Sequence, residues 1–151
     1  CQGEGGKVWF PCKTHPSDEP DSVAINITVP KPYFCASNGI LENISESIEG
    51  YQTFHWKTRY PTNNYNISIN IAKYKKIEKS YTSVDNNIVP VVYYYIETND
   101  SKADTLVDMA IDMLKTFEKY YGEYPFAKEK FGLAETHYYG TPNYQLIRES
   151  L

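Results

Sequence analysis

The chain has 151 residues, 41% of them hydrophobic, enough for one domain or for one small domain with a piece of a second. A formal charge of −4, with no basic stripe to neutralise phosphates, argues against a nucleic-acid partner. No apolar run is long enough for a transmembrane helix, so no membrane-spanning segment is expected.

Residues 7–10 begin β-like, and 11–20 (PCKTHPSDEP) form a turn-rich loop with three prolines. Residues 21–30 alternate Val23, Ile25, Ile27 and Val29 against polar or small neighbours, the pattern of a strand with one buried face. Residues 33–41 resume the β pattern, with Asn38-Gly39 as a turn signal. In 51–58, Phe54 and Trp56 share one face and are expected to point inward. Residues 59–64 are a loop, and 65–72 place Tyr65, Ile67, Ile69 and Ile71 on one side of a strand. The polar stretch 74–81 suits an edge strand. Residues 88–96 (IVPVVYYYI) are strongly β, with Pro90 kept off a central ladder position near the start.

Composition changes near Asn99. Residues 100–126 carry Leu106, Met109, Ala110, Met113, Leu114, Phe117, Tyr120 and Tyr121 at three- and four-residue steps, an amphipathic helix. Asp100 or Ser101 is expected to cap its start, and Gly122 and Pro125 to end it. Residues 131–139 read as one more strand, and 140–151 show no clear periodicity. The fold class expected is mainly β with α: an antiparallel β-sandwich or saddle-like sheet, then one long helix and a further strand.

Residue chemistry alone encodes no catalytic site. His15, His55 and His137 lack metal-ligand spacing, and no H-E-x-x-H, G-x-S-x-G or P-loop occurs. Cys1, Cys12 and Cys35 cannot all pair internally; a Cys12–Cys35 disulfide and two buried thiols are both open. Cys1 as a mature terminus would suit a bacterial lipoprotein. Four N-x-[S/T] sequons begin at Asn26, Asn43, Asn66 and Asn99. Tyr93–Tyr95 and Tyr138-Tyr139 are candidates for an aromatic platform, so a non-catalytic β-sandwich module binding peptide or glycan is the alternative function.

Several stretches together resemble the zinc aminopeptidase family typified by aminopeptidase N. They are Gln2-Gly3-Glu4, Trp9-Phe10-Pro11-Cys12 with His15-Pro16-Ser17-Asp18, the Ser37-Asn38-Gly39 turn, Phe54-His55-Trp56, and Tyr121-Gly122-Glu123-Tyr124-Pro125-Phe126. The resemblance implies that residues 1–99 are the later part of an N-terminal β domain and 100–151 the start of a thermolysin-like catalytic domain. It makes Cys1 an internal residue of a longer parent. It further implies that Gln2 and Glu4 help hold the free amino group of a peptide substrate. The family's G-x-M-E-N glutamate position holds Pro142 here, a departure that an inactive member kept for partner binding would also fit. Glu149 resembles the acid of divergent members. The family's zinc ligands lie further downstream, so no cofactor is expected in this chain and zinc is expected in the parent. A bacterial periplasmic, cell-envelope or extracellular location is expected. So is self-association through an exposed apolar helix face.

Overall fold

The computed structural model describes residues 6–13, 15, 19–46, 48–137 and 145–150, with 98, 137 and 145–150 described by backbone alone. The described residues hold nine strands and one long helix: β1 (Ala24–Pro30), β2 (Phe34–Ser37), β3 (Ile40–Ser45), β4 (Tyr51–Lys57), β5 (Ile69–Ala72), β6 (Tyr74–Thr82), β7 (Ile88–Ile96), α1 (Asp100–Tyr121), β8 (Phe131–His137) and β9 (Gln145–Ser150). They form a three-stranded sheet ordered β1-β4-β3, a β2-β5 pair, and a four-stranded sheet ordered β6-β7-β8-β9. Every pairing is antiparallel except β7 with β8, which run parallel because α1 carries the chain across between them. The four-stranded sheet thus takes strands from both sides of residue 99.

The alternation in β7 explains its position. Val89, Val91 and Tyr93 face α1 and pack with Val107, Ile111, Leu114, Phe131 and Leu133. Val92 and Tyr94 point the other way and join Ile25, Val29, Cys35, Phe54 and Trp56. A strand buried on both faces reads as a nearly continuous apolar run, as IVPVVYYYI does. Pro90 opposes Ser80 of β6 and lies one residue short of the β8 ladder, which begins at Val91. Tyr93 and Tyr94 are only 2% and 5% exposed and Tyr95 is half-buried, so this strand offers no exposed run of rings for the platform a stand-alone binding module would need.

At Asn38-Gly39 the chain leaves the β2-β5 pair for the β1-β4-β3 sheet. Gly39 has φ +75°, and a Cβ there would sit 2.1 Å from the Lys57 carbonyl oxygen, so only glycine fits. Asn38 is buried and donates Nδ2 to the Asn66 carbonyl, while its Oδ1 accepts from the Ser68 N–H. That hold explains a correction. Residues 64–66 form a 3₁₀ turn, so the strand expected over 65–72 is confined to Ile69–Ala72 and Tyr65 is exposed.

Three further expectations change. Gly6–Val8 is a 3₁₀ turn whose Gly6 carbonyl accepts from Trp9 and Phe10, so residues 7–10 are not a strand. Helix α1 has Asn99 at its N-cap without a side-chain cap bond, and Asp100 pairs with Lys75 of β6. Its buried residues are Ala103, Val107, Ala110, Ile111, Leu114 and Glu118, whereas Met109, Phe117, Tyr120 and Tyr121 face solvent. The apolar positions of α1 therefore form two faces. Finally, residues 145–150 form β9 despite their lack of periodicity, because β8 supplies an edge to pair with. Cys12 and Cys35 are free thiols, and burial pushes Cys35 up to about 11.

Candidate functional site

The segment after α1 joins the helix to both cores. Gly122, at φ +86°, donates its N–H to the Glu118 carbonyl and ends the helix in the manner of a glycine C-cap. Tyr124 turns into the helix-side core against Phe131, while Phe126 meets Tyr60 edge-on at 5.3 Å. Glu129 accepts from the Arg59 N–H, and the Tyr60 hydroxyl accepts from the Lys128 N–H. Lys130 then reaches across to donate Nζ to the Ser37 carbonyl at 2.9 Å and to the Gly39 carbonyl, with the Trp56 ring 4.7 Å away. Burial pulls this ammonium down to about 8. Two carbonyl dipoles and an aromatic face replace its lost hydration.

This buckle fixes where β8 starts, and β8 carries Glu135 to a place where it is almost fully buried. Its Oε2 accepts from the Ile96 N–H at 2.9 Å and its Oε1 from Asn99 Nδ2. Its backbone carbonyl accepts from the Tyr74 hydroxyl at 2.6 Å. Burial, and then the Glu135 charge, push Tyr74 and Tyr93 up to about 12. The carboxylate is therefore committed to the β7–α1 junction. Sequence reasoning missed Glu135 and Lys130 because burial of a charge leaves no local signature. Each stands in a stretch whose neighbours read as ordinary strand or turn.

Glu149 lies in β9 opposite Leu133, on the strand paired with β8. Gln2, Glu4, Pro142 and the Tyr138-Tyr139 pair lie outside the described residues, so Glu149 is the one expected amine-binding position with a place in the fold. The Trp9-Phe10-Pro11-Cys12 loop, which follows Gln2 and Glu4 in sequence, is described. Trp9 and Phe10 meet edge-on at 4.5 Å, and the Lys13 carbonyl accepts from Asn64 Nδ2.

Among the described residues no three His, Cys, Asp or Glu side chains come together to hold a metal. His15 is exposed, and both ring nitrogens of His55 are engaged by Asn26 and Ser45. The described donors do not fit a zinc centre. A cavity of about 580 Å³ lies at the C-terminal end of α1, lined by Leu114, Phe117, Tyr121 and Tyr124 with Glu118 at its side. Glu118 accepts from the Tyr81 hydroxyl at 3.2 Å.

No family model and no curated protein matches the sequence. Solved structures do match in fold. A two-domain M1 zinc metallopeptidase bound to L-arginine gives a TM-score of 0.71 at 20% identity, covering 88% of this chain and 30% of that one. The Deinococcus radiodurans M1 zinc metallopeptidase bound to a Tyr-Ser-Ala substrate gives 0.64 at 22% identity, covering 83% and 28%. Legionella pneumophila aminopeptidase A, in complex with aspartic acid, gives 0.66 at 19% identity, covering 78% and 14%. The chain spans 14% to 30% of the length of these three structures. Its fold is that of part of an M1 zinc metallopeptidase.

Proposed function

We propose that this chain is part of a zinc-dependent metallopeptidase that removes N-terminal residues from peptides. It supplies the β wall and the opening helix and strands of the catalytic domain. The supporting observation is the fold likeness, which covers 88% of the chain and so includes parts of both cores. In this proposal the zinc is held by residues of the parent beyond this chain, and no zinc-dependent step is assigned to residues here. What this chain contributes is recognition of the substrate's free amino group by Gln2, Glu4 and Glu149. A carboxylate suits an α-ammonium because a charge-assisted hydrogen bond in a partly dry cleft is worth more than a neutral one.

The test uses the parent polypeptide. Glu4→Gln and Glu149→Gln should each lower kcat/KM for aminoacyl anilides by roughly 10- to 100-fold, the loss of one hydrogen bond to a charge. Residual turnover of N-blocked substrates, which lack the ammonium, should not fall further. Equal losses on free and blocked substrates, or peptidase activity indifferent to zinc removal, overturn the proposal. We also propose that the isolated chain self-associates through the exposed face of α1, where Tyr120 and Tyr121 are 77% and 83% exposed. Sedimentation velocity on Phe117→Glu should then show a monomer at concentrations where the unsubstituted chain associates.

A further inference from the structure

The outward face of the β1-β4-β3 sheet carries a hydrogen-bonded array that peptidase chemistry leaves unused. His55 sits on the central strand, β4. Its register partner in β1, Asn26, places Oδ1 2.7 Å from His55 Nδ1. On the other side Ser45 of β3 places Oγ 2.8 Å from Nε2. A carboxamide oxygen only accepts, so Nδ1 carries the ring proton and Nε2 is left with a lone pair facing the Ser45 hydroxyl. A hydroxyl against an imidazole that a third group orients is the arrangement that activates a serine.

Three features make this more than an isolated polar contact. The three groups come from three neighbouring strands, so the ladder fixes their spacing. Ser45 and His55 are half-buried and Asn26 is exposed, which lets a reagent reach the hydroxyl. Asn43, opposite His55 in the β3–β4 register, and Lys57, two residues further along β4, share the face. Of these, Asn43 lies two residues from Ser45 on β3, so its amide N–H is the group on this face placed to meet a developing oxyanion.

We propose that Ser45 is an acyl-accepting nucleophile activated by His55 and oriented through Asn26, with small activated carboxylic esters as its substrate class. The Oγ attacks the carbonyl carbon while its proton passes to His55 Nε2. The bond from carbon to the leaving oxygen then breaks, and that oxygen takes the proton from Nε2. Acyl-Ser45 and a free alcohol result. Water attacks in the same way, giving its proton to Nε2, and releases the carboxylic acid as the proton returns to Ser45. Because the sheet face is open to solvent, little selectivity for acyl-chain length is expected.

The experiment is labelling of the full chain by a fluorophosphonate probe with 1,10-phenanthroline present, which removes zinc chemistry as a source of signal. The expected result is one adduct, mapped to Ser45 and absent from Ser45→Ala. His55→Gln should slow labelling by about 100-fold or more, the scale of losing a general base. In a second readout, Ser45→Cys should react with iodoacetamide about tenfold faster than the same variant carrying Asn26→Ala. No adduct at Ser45 above the Ser45→Ala background overturns the proposal. So does labelling of a folded His55→Gln at the wild-type rate, or equal alkylation of the two cysteine variants. None of these outcomes bears on the peptidase proposal, whose test is metal-dependent.

Discussion

The two cores share β7 but close differently. On the sheet side, rings meet rings: Phe34 stacks on Tyr94 at 5.3 Å and meets Phe54 edge-on at 4.6 Å, and Trp56 stands edge-on to Tyr94 at 6.4 Å. On the helix side, α1 lays Ala103, Val107, Ala110, Ile111 and Leu114 on the sheet. Small residues at two of those positions let the helix backbone approach. The sheet side also has Asn38 and Lys130 satisfied within it. The helix side leaves Met109, Phe117, Tyr120 and Tyr121 in water on the far face of α1. A strand has two faces and β7 has covered both. A helix has a full circumference, and α1 has covered about half. Among the described residues, the outer side of α1 thus carries four exposed large apolar side chains on one element.

The sharpest way to break the sheet side is Gly39→Ala. It forces a Cβ to within 2.1 Å of a backbone oxygen at a positive φ, and neither atom is on a flexible side chain. A loss of about 4 kcal/mol or more is expected, read as a lowered urea midpoint. Trp56→Ala, which empties a site 2% exposed, should cost about 3–5 kcal/mol, whereas Val107→Ala on the helix side should cost about 2. If the cores fold as one unit through β7, both variants keep a single transition by circular dichroism and by tyrosine fluorescence. Two separated transitions in Trp56→Ala would show that the helix side stands without the sheet side.

How much of this was legible in the sequence follows from periodicity. Residues 51–58 and 88–96 announced their strands because alternate side chains meet different surroundings, and Phe54 and Trp56 do point inward. The helix announced itself too, but not which half of its apolar circumference would be buried. Sequence spacing cannot separate a face that meets β6 and β7 from one left to another partner. Strand β9 was illegible because its pairing is supplied by β8. The parallel β7–β8 pairing was illegible because it depends on where α1 returns the chain. Of the three amine-binding positions that the family resemblance suggested, the structure locates only Glu149. The charges at Glu135 and Lys130 went unnoticed for a related reason: what makes each unusual is a partner 36 to 93 residues away in sequence.

Lys130 ties the two cores together, so its titration sharpens the comparison. Its folded value lies near 8, below the ordinary lysine value of 10.5. Below pH 8 both folded and unfolded chains hold the proton, and the folded chain carries the full cost of a buried charge. Between pH 8 and 10.5 the unfolded chain binds more protons, so stability should rise with pH, by at most about 3 kcal/mol for a shift of this size. The tyrosines act in the opposite sense. Tyr74 and Tyr93 are raised to about 12, and Tyr81 and Tyr94 are raised as well, so above pH 10 the unfolded chain loses protons first and stability falls. Denaturation across pH 7–11 should therefore show a maximum near pH 10. In Lys130→Met the rising limb should vanish and the falling limb persist. A rising limb kept in that variant would assign it to another group.

The smallest effect is expected where β6 grips α1 from outside. Lys79 lies 2.8 Å from Asp104 and 2.6 Å from Asp108, and Lys75 lies 2.7 Å from Asp100, all at the solvent edge of the helix-side core. Each acid holds its partner lysine's proton more firmly, so these lysines stay charged through the range in which Lys130 titrates. Exposed pairs gain little in water, and salt screens them. Lys79→Ala should cost no more than about 1 kcal/mol, and the difference should shrink in 0.5 M NaCl, because ladder pairing and the apolar face of α1 hold β6 in place. A larger, salt-resistant loss would mean that the Lys79 stem packs as part of the helix-side core. That core, which already takes Tyr81 and Ile77 from β6, would then extend to the Lys79 stem.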